Sequence, residues 1–327
     1  MHIDVHCHIF PDDYVDLMEK EGPKYGVTVH TDDEGEKHCT LKGVRQPPLT
    51  PFTNTDVRLG TMKEMGLDMN ILSFSSRPGV YWADPQLAEE LSQTANDGYA
   101  QIIKAMPEKF SGMATLPAQD AERSVKELER AVTKLGLKGG FMGTNVNGRY
   151  MDDESFYPIY EAAAALKVPI IVHPANPAAM NEMRDYHLFN FIGFTTESAN
   201  SIARLIFSGV FDRFPDLEFI FLHGGGTAPY LIGRFMHGWE VRPECQDIKR
   251  SPIEYMREHF YFDSLVFHPP IVRFLVDLMG SERIMLGTDL PYDMTDTQIV
   301  QTLESAGLSE EEYANITHLN AQKLFKL

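Results

Sequence analysis

Met1-His2-Ile3-Asp4-Val5-His6-Cys7-His8 opens the chain and reads as a short β-strand ending in two imidazoles. Side chains alternate across a strand, so His6 and His8 point to one face, within reach of a single ion. Neutral imidazole is a good ligand for zinc, manganese or iron. A lone His-x-His is equally compatible with ordinary polar residues at a strand end. Its weight depends on what stands at the ends of the strands that follow.

Outward from this stretch, an alternation sets in. Residues 69–75, 110–116, 138–144, 168–173, 217–222, 258–264 and 283–288 are apolar, strand-length runs. Segments 55–66, 85–105, 120–135, 153–167, 196–211, 226–238 and 269–279 carry apolar residues at helical intervals. Gly136, Gly209 and Gly280 stand where helices should stop. Eight strands alternating with helices predict an α/β fold with an all-parallel sheet, a (β/α)8 TIM barrel. One domain is expected to span residues 1–327. Two stretches break the rhythm. Residues 22–53, after strand one, are expected to form a lid-like insertion with a small hairpin over the barrel mouth. Residues 174–195 form a long loop after strand five. Connections of this length in a compact barrel usually cover an active site.

Composition narrows the function. A chain of 327 residues buries enough core to need no staple. Cys7, Cys39 and Cys245 are odd in number and lack C-x-x-C spacing, which argues against a disulfide framework or a thiolate zinc site. That pattern fits a reducing, cytoplasmic setting. No apolar run reaches spanning length and no basic segment precedes a greasy one, so neither a transmembrane helix nor a secretory signal is expected. The formal net charge of −18 disfavours nucleic acid and anionic membranes as partners. An anionic small-molecule substrate therefore has to be collected by specific arginines.

In such barrels the catalytic groups lie at the C-terminal ends of the strands. Strand five, Val168-Pro169-Ile170-Ile171-Val172, ends in His173-Pro174. Strand six, Leu217-Glu218-Phe219-Ile220-Phe221-Leu222, ends in His223 followed by Gly224-Gly225-Gly226. Strand eight, Arg283-Ile284-Met285-Leu286-Gly287-Thr288, ends in Asp289. Singly, each has a bland explanation, because a histidine or aspartate after a strand often caps backbone groups. Collected on one rim, the histidines and the carboxylate point to a metal site.

These residues, with His6-Cys7-His8-Ile9-Phe10-Pro11, Val172-His173-Pro174, Ser208-Gly209-Val210-Phe211-Asp212-Arg213-Phe214-Pro215, His223-Gly224-Gly225-Gly226 and Leu286-Gly287-Thr288-Asp289-Leu290-Pro291, resemble the amidohydrolase superfamily. Within it, the chain looks like the branch of aminocarboxymuconate semialdehyde decarboxylase and gamma-resorcylate decarboxylase, nearly end to end. The resemblance implies that His6, His8, His173 and Asp289 hold one divalent ion, zinc first and manganese as the alternative. It implies that His223 acts beside the ion as general base or acid. Strand four supports one ion independently. Binuclear relatives place a modified lysine at its end, whereas here the end reads Phe141-Met142-Gly143-Thr144, with Lys138 at the other end.

Two arginines carry the substrate expectation. Arg45, in Leu41-Lys42-Gly43-Val44-Arg45, falls where the muconate-type enzymes place a carboxylate-binding arginine. Arg242, in Trp239-Glu240-Val241-Arg242-Pro243, matches a second that the neighbouring subunit supplies, which implies a homodimer. A guanidinium holds a carboxylate bidentately; otherwise both are solvated loop residues. The chain departs from the muconate enzyme's tryptophans at Ala175 and at Asn190 beside Phe191. Glu197 is assigned to helix capping. Trp82, Phe191 and Trp239 are candidate pocket walls, with core packing as the plainer reading.

One ion with open positions supports two chemistries, and the ligands do not separate them. The leading expectation is nonoxidative decarboxylation of a small unsaturated or aromatic carboxylic acid, with His223 moving the proton and His223 or Asp289 protonating the carbon that loses CO2. The alternative is hydrolysis or hydration of a lactone, amide or unsaturated acid. A catalytically silent binding subunit is the third reading, disfavoured because every ligand position is filled. Ligand histidines must be neutral, so metal affinity is expected to fall as pH drops below the imidazole range.

Overall fold

Apolar residues fill the predicted strands at successive positions because both faces of each strand are covered, as in parallel sheets. The computed structural model describes residues 1–41, 43–75, 77–178, 180 and 182–327. Its parallel strands are β1 (Ile3–His8), β2 (Met69–Ser73), β3 (Phe110–Gly112, resumed at Ala114–Thr115), β4 (Gly140–Gly143), β5 (Ile170–His173), β6 (Phe219–Phe221), β7 (Phe260–Asp263) and β8 (Ile284–Met285). β2 lies between β1 and β3. The Ala114–Thr115 segment leads a run through β4, β5, β6 and β7 to β8. Beyond Met285 the chain turns to β1: Val5 N donates to Leu286 O at 2.9 Å and His8 N to Leu290 O at 2.7 Å.

That change of partner explains why β8 is shorter than the predicted 283–288. The other strands likewise lose a residue or more at their ends. The helices fall close to expectation, at Thr55–Met65, Pro85–Ala105, Ala121–Lys134, Tyr157–Leu166, Thr195–Phe207, Ala228–Val241 and Pro269–Met279. Side chains satisfy several first turns: Asn54 accepts from the backbone of Asp56 and Val57, and Asp84 from that of Gln86 and Leu87. The predicted helix 196–211 is interrupted. Gly209 adopts a left-handed φ of 74° after Phe207, and a separate turn, Val210–Arg213, follows.

The insertion after β1 holds three antiparallel strands, Val27–Thr31, Lys37–Leu41 and Val44–Pro48, where a single hairpin was expected. Lys42, between the last two, lies outside the described residues. The connection after β5 ends in a π-helical turn, Phe189–Phe194, that runs directly into the helix Thr195–Phe207. Among the described residues no helix is long and apolar enough to cross a membrane. Strand interiors such as Ile170, Ile171, Val172, Phe219 and Phe221 are fully buried, so the strand ends are held on a rigid base. Truncating Phe219 to alanine is worth roughly 3–5 kcal/mol on general grounds.

Candidate metal centre

β1, β5 and the segment after β8 deliver four donors to one place. The ligand atoms of His6, His8, His173 and Asp289 lie within 4.8 Å of one another, and all four residues are buried. The pleat does for His6 and His8 what the alternation predicts: their ring centroids stand 5.2 Å apart. His173 stands 5.1 Å from His8, and His223 4.9 Å from His6.

The ring nitrogens are sorted by their outer partners. His8 Nδ1 donates to the Phe74 carbonyl at 2.9 Å, and His173 Nδ1 to the Pro174 carbonyl at 2.8 Å. A carbonyl only accepts, so the proton sits on Nδ1 and the lone pair on Nε2. His6 Nδ1 donates to Asp263 Oδ2 at 2.6 Å. In each ring Nε2 is thereby left for the centre, which is how metal-binding histidines are oriented. His6 Nε2 is buried without a hydrogen bond, although Asp289 Oδ1 lies 3.2 Å away. His8 Nε2 is 3.0 Å from the same oxygen.

Charge gives a second test of fit. Burial pushes the Asp289 carboxyl up, but the surrounding His6, His223 and His8 rings outweigh it and hold it well below the usual carboxylate range. Asp263 is also held low: burial raises it, and the His6 ring overrides burial. Burial lowers His8 and, with the neighbouring imidazoles, drives His173 well down, so both stay neutral. Burial also works against charge on His6, yet Asp289 and Asp263 lift it to about 10. Two buried carboxylates thus demand a cation at this point. In the protein without metal that cation is a proton on His6, and a divalent ion suits the same three nitrogens and one oxygen.

His223 stands beside this set rather than in it. Its Nε2 is 3.7 Å from Asp289 Oδ2, and its buried Nδ1 has no partner among the described residues. Its φ is +57°, and Asp289 has φ +67°. Such conformations are rare outside glycine and are stored strain at a functional site. The glycines after His223 are there for space. A Cβ on Gly225 would meet the Phe262 ring at 2.6 Å, and one on Gly226 the Thr195 carbonyl at 2.1 Å.

A cavity of about 430 Å³ opens above the centre. His173, His223 and Asp289 form its floor, Phe189, Asn190, Phe194 and Tyr292 its walls, and Arg45, Pro47 and Pro48 part of its mouth. Arg45 is therefore at the cavity, but half exposed and paired with Asp32 at 3.1 Å. Arg242 is exposed just after the helix Ala228–Val241 and does not line the cavity of its own chain. Asn190 lines it, whereas Ala175 is buried against Thr144 and Asn145. Of the three aromatic candidates, Phe191 lines an adjoining recess beside His223 and Asp289, while Trp82 and Trp239 line neither space.

Glu197 requires a correction. The helix Thr195–Phe207 continues from a π-helical turn, so its first N–H groups have partners and need no cap. The Glu197 carboxylate is instead buried and accepts from Asn145 Nδ2 at 2.8 Å, tying the β5 connection to the chain beyond β4. Two further residues went unread in the sequence. Asp263 ends β7 and would have been found by applying the strand-end rule there. Asp4, buried one pleat before His6, accepts from the backbone N–H groups of His6 and Thr288 at 3.0 and 3.1 Å and so locks β1 to the Asp289 segment.

The family described as Amidohydrolase matches residues 3–327. The chain is 36% identical over 335 residues to 2-amino-3-carboxymuconate-6-semialdehyde decarboxylase of Dictyostelium discoideum, covering 99% of this chain and 91% of that one. It is 33% identical over 290 residues to gamma-resorcylate decarboxylase of a Polaromonas species, covering 83% and 87%. A solved dihydroxybenzoic acid decarboxylase from Polaromonas, with bound manganese and the inhibitor 2-nitroresorcinol, superposes with a TM-score of 0.82 at 29% identity, covering 100% of this chain and 97% of the other. With a match that runs from the first strand to the last residue and takes in every one of the four donors, the chain belongs to the amidohydrolase family.

Proposed function

We propose that this chain is a metal-dependent, nonoxidative decarboxylase of a small unsaturated or aromatic carboxylic acid. The observation that carries the reading is the pairing of three Nε2-presenting imidazoles and the Asp289 carboxylate with an aromatic-walled cavity of about 430 Å³, a volume suited to a small ligand. His6, His8, His173 and Asp289 would hold one divalent ion, which supplies Lewis-acid polarisation of substrate oxygens. Zinc and manganese both suit this donor set, and the manganese of the Polaromonas relative supports the second.

The chain's own groups account for the rest. Phe189, Phe194 and Tyr292 confine an aromatic or dienoic skeleton above His223. His223 delivers a proton to the carbon bearing the carboxylate. The bond from that carbon to the carboxylate then breaks, its electron pair returns to the unsaturated system, and CO2 leaves. Asp289, held ionised, faces the His223 ring across 3.7 Å and steadies it as the proton moves. Positioned charge of this kind is where much of catalysis resides.

The wider reading is a single-domain (β/α)8 barrel, supported on one side by the bonds from Val5 and His8 to the β8 segment. The strands Val27–Thr31, Lys37–Leu41 and Val44–Pro48 serve as its lid and bring Arg45 to the mouth. The exposed Arg242 would enter the partner's cavity in a homodimer working in the cytoplasm. The test is CO2 release by the metal-loaded protein from a panel of small aromatic and muconate-type acids, with His223→Ala as control. Release that disappears in the variant supports the proposal. Silence from a metal-loaded protein that turns over a lactone or hydrates an unsaturated acid overturns it.

A further inference from the structure

Arg77 follows β2 and projects from the loop above Ser75. It lines the same cavity as His173, His223 and Asp289. Arg77 is partly buried, and among the described residues it forms no ion pair with a carboxylate. Its guanidinium carbon stands over the face of Phe189, 5.8 Å from the ring centre. A cation–π contact recovers only part of the hydration that a sheltered guanidinium gives up. Burial shifts Arg77 downward, and the neighbouring Tyr292 hydroxyl offsets part of that shift. In a chain of net charge −18, a sheltered arginine left without an acid is unusual.

Its backbone is anchored to the centre. Arg77 N donates to Ser75 Oγ at 3.1 Å, and the Tyr292 hydroxyl donates to Arg77 O at 3.2 Å. The Tyr292 ring in turn packs edge-on against His8, 5.5 Å between centroids. The Arg77 backbone is therefore held at a defined place relative to the donors on the floor, and the guanidinium reaches the cavity from there. Arg45 at the mouth already has Asp32, which also accepts from His38 at 2.9 Å.

We infer that Arg77 is a specificity-determining residue that receives a second anionic group of the substrate, so that the cavity takes a dicarboxylic or similarly doubly anionic aromatic or dienoic acid, one group toward the floor and the other on Arg77. The inference deepens the decarboxylase reading and rests on it for the identity of the cavity, but its test needs no turnover. Metal-loaded protein is titrated calorimetrically with benzoate and with isophthalate (benzene-1,3-dicarboxylate). Wild type binds isophthalate at least about tenfold more tightly than benzoate, as expected of a bidentate guanidinium–carboxylate pair. Arg77→Met loses that preference while its benzoate affinity, metal content and circular dichroism stay close to wild type. Arg77→Lys, which keeps the charge but not the fork, recovers part of it.

No preference in wild type, or a preference that survives in Arg77→Met, overturns the inference. Equal loss of both ligands in a folded, metal-loaded Arg77→Met also overturns it, because the residue would then shape the cavity rather than read the second anion. If the preference behaves as stated while no acid releases CO2, the decarboxylase reading fails and the role of Arg77 stands.

Discussion

Asp263, at the end of β7, accepts a 2.6 Å hydrogen bond from Nδ1 of His6, at the end of β1, though the two are 257 positions apart. Asp263 also accepts from Gly224 N at 2.7 Å, so one carboxylate sets both the tautomer of a candidate ligand and the turn that carries His223. Outer-sphere carboxylates of this kind orient the ligand and raise its basicity.

Asp263→Asn keeps the shape and removes the charge. Metal affinity is expected to fall by roughly 10–100-fold, read by competition with a chromophoric chelator. An unchanged affinity would mean that His6 needs no partner to act as ligand.

The pH dependence of metal uptake follows from His6, which Asp289 and Asp263 raise to about 10 against burial. Below that pH the metal-free centre carries a proton that the ion must displace; His8 and His173, shifted down, carry none near neutrality. Affinity should therefore climb by about tenfold per pH unit from mildly acidic to mildly alkaline buffer, with about one proton released per ion. Calorimetry in two buffers of different ionisation enthalpy counts that proton. Affinity that levels off above the ordinary imidazole range would show that the carboxylates do not hold a proton on His6.

Gly226→Ala sets a Cβ against the Thr195 carbonyl at 2.1 Å and forces alanine to a φ of +62°. The neighbour is backbone and cannot swing aside. A loss of roughly 1–3 kcal/mol or more is expected from strain alone, measured by urea unfolding, with activity falling as the His223 turn shifts. Wild-type stability would show that the turn relaxes freely.

Arg242 is tested by complementation. Arg242→Ala and His223→Ala are each expected to be impaired as homodimers. If the arginine serves the partner's cavity, mixing the two variants under subunit exchange restores one intact site per mixed dimer. Absence of recovery in verified heterodimers would confine Arg242 to its own chain or to no role.

Much of this was legible because the site residues stand at or just beyond the ends of apolar, strand-length runs. His6, His8, His173, His223 and Asp289 could be read as rim residues on that basis, and the structure brings their rings and carboxylate together. Asp263, at the end of β7, obeys the same rule. Glu197 was misread because a helix that continues from a π-helical turn has no free first N–H groups, and composition does not reveal that continuity. Arg77 had no signal of its own, since an arginine before a proline looks like any loop residue until its lack of an acidic partner is visible.

By itself the sequence determined what is local: the alternation of strands and helices, the chemistry of the donors and the strand ends that carry them. Those follow from side-chain periodicity and residue type, which neighbours along the chain specify. Tertiary structure alone decided which nitrogen of each imidazole faces the centre, which arginine is already paired, and which carboxylate raises His6. Each of these depends on groups tens to hundreds of residues away meeting at hydrogen-bonding distance, a relation that no local pattern encodes.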